Sequence, residues 1–113
     1  MRRGEVWVGN LNPSRGSEIG KVRPVVIMQA DELLAAGTPM VIVLPLTTRI
    51  HAGLTRWRVT IPARDRLLKV SQVVVDQPRT LDRERLGEGP LTRLTDSEMA
   101  VVEESLLAVM GMV

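Results

Sequence analysis

The stretch Arg56-Trp57-Arg58-Val59-Thr60-Ile61 alternates throughout, with Trp57, Val59 and Ile61 on one face and Arg56, Arg58 and Thr60 on the other. A period of two marks a half-buried strand, because successive side chains of extended backbone point to opposite sides of a sheet. Working outward, similar signals recur. Glu5–Gly9 sets Val6 and Val8 against Trp7, and Pro24–Gln29 and Met40–Leu46 are apolar runs that read as buried strands. Leu67–Asp76 holds a further strand through Val73, Val74 and Val75, while Asp82–Leu86, bounded by Pro78 and Gly87, predicts a single helical turn. Strands joined by turns, with little helix between them, favour a small closed barrel over a βαβ sheet. Asn10–Gly20, with its Asn, Pro, Ser and Gly, reads as a loop. It is long for so small a chain, and long loops in compact domains tend to carry function.

The period changes after Leu94. Thr95 is suited to cap a helix and Glu98 stands three positions on, completing a capping box, with Leu94 and Met99 at the positions of a hydrophobic staple. Met99, Val102, Leu106 and Val109 then recur at helical spacing and predict one face packed on the barrel. Asp96 and Glu98 lie in the first turn, where the helix dipole favours negative charge. No internal repeat, linker or low-complexity tract interrupts residues 1–113, which read as one domain.

Composition narrows the chemistry. The absence of cysteine removes disulfides and thiolate metal sites, and a single histidine, His51, removes the usual imidazole clusters, so neither metal nor other cofactor is expected. The longest apolar stretch, Met40–Leu46, is too short to span a bilayer, and Met1–Arg3 does not open a signal peptide, which makes a cytoplasmic protein the expectation. Net charge is +2, but all 15 Lys and Arg fall in residues 1–93, whereas residues 94–113 carry acids and no base. The basic part is mostly arginine, whose planar fork binds phosphate through paired hydrogen bonds, so a nucleic-acid ligand is permitted.

Three motif groups stand in order. The first runs Arg3-Gly4-Glu5-Val6-Trp7, Asn12-Pro13, Gly16-Ser17-Glu18 and Arg23-Pro24-Val25-Val26; the second is Pro45-Leu46-Thr47-Thr48; the third is Asp76-Gln77-Pro78-Arg79-Thr80-Leu81-Asp82 with Arg85-Leu86. In this order and spacing the chain resembles the MazF/PemK/Kid family of toxin ribonucleases, from Arg3 to the C-terminal helix. The resemblance implies a mainly β, SH3-like barrel with a C-terminal α-helix, a two-fold homodimer, metal-independent cleavage of single-stranded RNA, and inhibition by a MazE-like antitoxin. Carried over by motif, Arg23 and Thr47 match the family's catalytic pair, and Glu18 matches the acid of the mobile loop. Ser71 and Gln77 align with positions lining the RNA groove. Ser17 and Thr48, beside Glu18 and Thr47, join the RNA-binding set with His51, and Arg49, Arg56 and Arg58 are candidate phosphate positioners.

The residue types suit that chemistry. RNA cleaves itself when a 2′-OH attacks the adjacent phosphorus, and an enzyme then has to remove the 2′ proton, neutralise the phosphorane and protonate the leaving 5′ oxygen. Arginine offers charge and donors to the non-bridging oxygens, and threonine offers a hydroxyl. Glu18 serves as base only if its loop closes over it. Two other functions compete: a gyrase-binding toxin of the same fold, and a non-catalytic interaction module in which Arg23 and Thr47 come together by accident. Trp57 reads as core, and Trp7, opposite Val6 and Val8, reads as facing a partner chain or the antitoxin.

Overall fold

The computed structural model describes residues 1–54 and 56–113. Its elements are β1 (Glu5–Asn10), β2 (Val22–Ile27), α1 (Asp31–Ala35), β3 (Met40–Thr47), β4 (Arg58–Ile61), β5 (Ser71–Val74), β6 (Arg79–Asp82), a single 3-10 turn at Arg83–Arg85, β7 (Thr92–Arg93) and α2 (Asp96–Val109). All pairings are antiparallel and the strand order is β4-β5-β3-β2-β1-β7. Strand β3 organises the sheet. One edge pairs with β2 over Val43–Pro45, while the other pairs first with β6 over Met40–Val43 and then with β5 at Leu46 and Thr47.

The curled sheet is covered on both faces. On one, Val6, Val26, Leu44, Leu46, Val59, Ile61 and Val73 pack under Met99 and Val102 of α2, with Leu106 and Val109 against them. On the other, Val25, Ile27, Val41, Val43 and Leu81 form a second cluster with Leu11 and with Leu34 of α1. Helix α1 was not foreshadowed: five residues with one buried side chain leave no periodic signal. The expected features of α2 are present. Thr95 Oγ1 accepts from Glu98 N at 3.1 Å, and Glu98 Oε1 accepts from Thr95 N at 2.8 Å. Among the described residues no helix is long and apolar enough to cross a membrane.

The expected mainly β barrel-type sheet with a C-terminal helix is present, but its full closure and the outward placing of Trp7 need correction. The sheet curls into a half-barrel with no ladder between its edge strands β4 and β7 among the described residues. Pro62, directly after β4, has no N–H to continue pairing, and β7 is only two residues long. Side chains join this seam instead. Arg64 donates to both carboxylate oxygens of Glu98 at 2.9 and 2.6 Å and to the Arg93 carbonyl at 2.9 Å, and Thr92 Oγ1 donates to Asp65 Oδ2 at 2.7 Å. Trp7, expected to face outward, is half-buried against the second cluster. A Cβ on Gly89 would run into the Trp7 indole, so only glycine allows that close cover. The indole Nε1 donates to Glu5 Oε1 at 3.1 Å.

Candidate active site

Strand parity builds the site. Antiparallel partners share a face, and the β2–β3 register pairs Val25 with Pro45, so its continuation by two residues sets Arg23 opposite Thr47. Thr47 pairs with Gln72 of β5, and Gln72 with Thr60 of β4. Arg23, Thr47, Gln72 and Thr60 therefore form one cross-strand row on the face that carries the second cluster. Where that apolar cluster ends, the same face turns polar. The next row adds Arg58, opposite Val74, with Asp76 two residues beyond.

Arg23 is held by backbone. Its Nε donates to the Gly20 carbonyl at 2.7 Å and Nη1 to the Leu46 carbonyl at 3.4 Å, next to Thr47. Partial burial pulls its pKa down from the ordinary value, yet guanidinium remains charged at any working pH. Two residues earlier Lys21 has φ 71°, a left-handed conformation costly for a non-glycine residue, and its N–H donates to Asn12 Oδ1 at 2.9 Å. That bend turns the loop into β2 and delivers Arg23. Thr47 is half-buried, and its Oγ1 accepts from Arg49 N at 3.1 Å.

The loop carrying Ser17 and Glu18 is fastened by the third motif. Gln77 Oε1 accepts from Ile19 N at 2.7 Å, Gln77 Nε2 donates to the Ser17 carbonyl at 3.3 Å, and Arg79 Nη1 donates to the Ile19 carbonyl at 3.3 Å. Ser17, Glu18, Asp76, Gln77, Pro78 and Arg79 line an open cavity of about 450 Å³. Glu18 is exposed, and its Oε1 accepts from Arg15 N at 2.6 Å, closing its own turn without touching Arg23.

The remaining candidates divide. Arg58 joins the site face: Nη1 lies 4.0 Å from Asp76 Oδ1, and Nε and Nη1 are buried without a hydrogen-bond partner among the described residues. Arg49 and His51 are exposed on the β3–β4 connection, and His51 N donates to Gln72 Oε1 at 2.9 Å. Arg56 lies elsewhere, 5.4 Å from the Trp57 ring centroid, and both line a cavity with Val101, Glu104, Ser105 and Ala108 of α2. Trp57 is thus half-buried beside α2, away from the site face. Ser71 points to the α2 side, is buried and donates to the Lys69 carbonyl at 3.0 Å; with Thr48 and Pro24 it lines a separate cleft. Gln72 was not singled out from the sequence, and Thr60 and Asp76 were quoted there without a site role. The signal was parity, since residues one position from Ser71 and Val59 fall on the other face.

A curled antiparallel sheet with one C-terminal helix defines a small, mainly β, half-barrel class. Within that class the chain belongs to the family described as PemK-like, MazF-like toxins of type II toxin–antitoxin systems, whose sequence model matches residues 2–110. Among solved structures it is similar to MazF from Deinococcus radiodurans, at 26% identity and TM-score 0.83, with 99% of this chain and 97% of that one covered. It also resembles the Mycobacterium tuberculosis toxin MazF-mt6, at 22% identity and TM-score 0.78 over 96% of this chain and 98% of that one. An endoribonuclease in complex with its cognate antitoxin, from a mycobacterial species, matches at 22% identity and TM-score 0.77, covering 100% of this chain and 97% of that one.

Proposed function

We propose that this toxin-family chain is a metal-independent endoribonuclease that cuts single-stranded RNA through attack by the substrate's own 2′-OH. The observation that carries the reading is the position of Arg23, whose guanidinium sits between the Gly20 and Leu46 carbonyls at the end of a polar row. Similarity to proteins described as endoribonucleases adds to it. The 2′ oxygen forms a bond to phosphorus as its proton passes to solvent water, and the bond to the 5′ oxygen breaks as that oxygen takes a proton from water. The products are a 2′,3′-cyclic phosphate and a 5′-OH end. Arg23 donors not used on backbone neutralise the non-bridging oxygens as charge develops. The Thr47 hydroxyl, which accepts from Arg49 N, still has its own hydrogen to give to a phosphate oxygen.

RNA would run along the polar face, with Arg49, His51 and Arg58 contacting the strand beyond the cut. A MazE-like antitoxin would compete for this face with an acidic segment; MazF from Deinococcus radiodurans, 27% identical to this chain at TM-score 0.76, has been crystallised with MazE. A homodimer would use an apolar surface other than Trp7. Ile42, 44% exposed, and Met110, 50% exposed, line a cavity of about 310 Å³ with Met28, Leu106 and Leu107. Sedimentation at micromolar concentration tests the dimer. Incubation with long single-stranded RNA in excess chelator tests the nuclease: discrete cuts at a short recurring sequence are expected, and intact RNA would favour a binding-only toxin.

A further inference from the structure

Gln72 is 3% exposed in a run of valines, a costly place for an amide unless both ends are bonded. Both are. Its Oε1 accepts from His51 N at 2.9 Å and its Nε2 donates to Thr60 Oγ1 at 3.2 Å. The β3–β4 connection carries exposed Arg49 and His51, and two side-chain anchors tie this part of it to the sheet: Thr47 beneath Arg49, and Gln72 beneath His51. Thr47 stands beside Arg23, where bonds would change, whereas Gln72 is one strand further out. Gln77, in the turn between β5 and β6, fastens the Glu18 loop in a similar manner, so each loop bordering the Arg23–Thr47 step rests on a glutamine amide.

From this placement we infer that Gln72 is a positioning residue for RNA sequence choice: it sets the height of the 48–54 segment over the groove, and through it the reach of His51 and Arg49 to bases. The inference rests on the nuclease reading. Losing the anchor lets these side chains contact several bases equally well, lowering discrimination without removing the Arg23 donors.

The test compares the wild-type chain with Gln72→Met, which keeps shape and removes both bonds, and Gln72→Glu. In the second variant the carboxylate still accepts from His51 N, and the Thr60 hydroxyl turns to donate to it. Cleavage of a randomised RNA pool, followed by kcat/KM on the preferred sequence and its single-base variants, measures discrimination; amide hydrogen exchange over residues 48–54 measures the anchor. Gln72→Met is expected to bring kcat/KM on the preferred sequence and on its single-base variants about tenfold closer together, with faster exchange at His51. Gln72→Glu is expected to raise KM for every sequence through its negative charge while keeping discrimination and protection. Unchanged discrimination in Gln72→Met, or a uniform fall in kcat on all sequences, would overturn the inference. Unchanged exchange at His51 in Gln72→Met would overturn the anchor itself, whatever RNA is cut. A wild-type chain that cuts no RNA, with exchange at His51 still dependent on Gln72, would overturn the nuclease reading and the selectivity role while upholding the anchor.

Discussion

Arg23 Nε donates to the carbonyl of Gly20 at 2.7 Å, so the arginine assigned to the phosphorane is oriented by the loop that leads into its own strand. A planar fork can hold Gly20 and Leu46 and still present N–H groups to a phosphate, whereas an ammonium is a point charge with no fixed plane. Arg23→Lys is therefore expected to lower single-turnover cleavage about a hundredfold, near 3 kcal/mol, while RNA affinity falls far less. Cleavage and binding assays run separately check this, and near-normal turnover would remove Arg23 from the mechanism.

The carboxylate of Glu18 spends one oxygen on Arg15 N at 2.6 Å. Glutamine preserves that acceptor and abolishes basicity, so Glu18→Gln separates a loop restraint from a base. The expected result is activity within about threefold of wild type and an unaltered pH–rate profile, because the lost interaction is small. A loss of a hundredfold, together with disappearance of an acidic limb in the profile, would restore Glu18 as the base.

Local signals carried part of this far. The capping box at Thr95 and Glu98, the stripe from Met99 to Val109, and the alternation through Arg56–Ile61 are each contained in a short window, and each recurs in the structure, the last as a strand only over Arg58–Ile61. Strand β7 and helix α1 are held by distant partners and gave no such signal. Motifs named Arg23 and Thr47, and strand alternation named Arg58; the structure brings these three to one face, but it sets the motif-named Ser71 on the other. Ser71 and Gln72 show why: a shift of one position exchanges the faces of a sheet, and which face is wet depends on what α2 and the 13–20 loop cover. The open seam was likewise hidden, because closure depends on whether β4 and β7 meet.

Arg58 combines burial with missing partners, since Nε and Nη1 have no hydrogen-bond partner among the described residues and Asp76 stands 4.0 Å away. Unpaired buried donors destabilise, by about 1–3 kcal/mol each. Arg58→Met should raise the unfolding midpoint and weaken RNA binding, with a shallower salt dependence if a phosphate contact is lost. Thermal unfolding and binding titrations at two salt concentrations check both. A destabilised variant with unchanged RNA affinity would mean that Arg58 serves the fold alone.

Arg64 and Glu98 make the seam sensitive to acid. The paired hydrogen bonds from Arg64 hold the Glu98 carboxyl below the ordinary carboxylate range, and the same contact raises Arg64. A carboxyl depressed in the folded state binds protons more readily when unfolded, so its contribution is complete above its ordinary value of 4.5 and is lost as pH falls through the folded value. Arg64 stays charged throughout. Arg64→Met should cost about 2 kcal/mol at neutral pH and should flatten the loss of stability on acidification. Denaturant unfolding from neutral to acidic pH measures this, and parallel curves for the two proteins would contradict the assignment.

The identity of the nucleophile tests the account most directly. A preferred RNA substrate is made with a single hydrogen in place of the 2′-OH on the nucleotide 5′ to the cut, and its cleavage in chelator is compared with that of the all-ribose strand. The account predicts that the ribose strand yields 2′,3′-cyclic phosphate and 5′-OH ends, while the substituted strand binds with nearly equal affinity and is not cut at that bond. Cleavage of the substituted strand at an undiminished rate, or products ending in a 5′-phosphate, would contradict attack by the substrate's own 2′-OH.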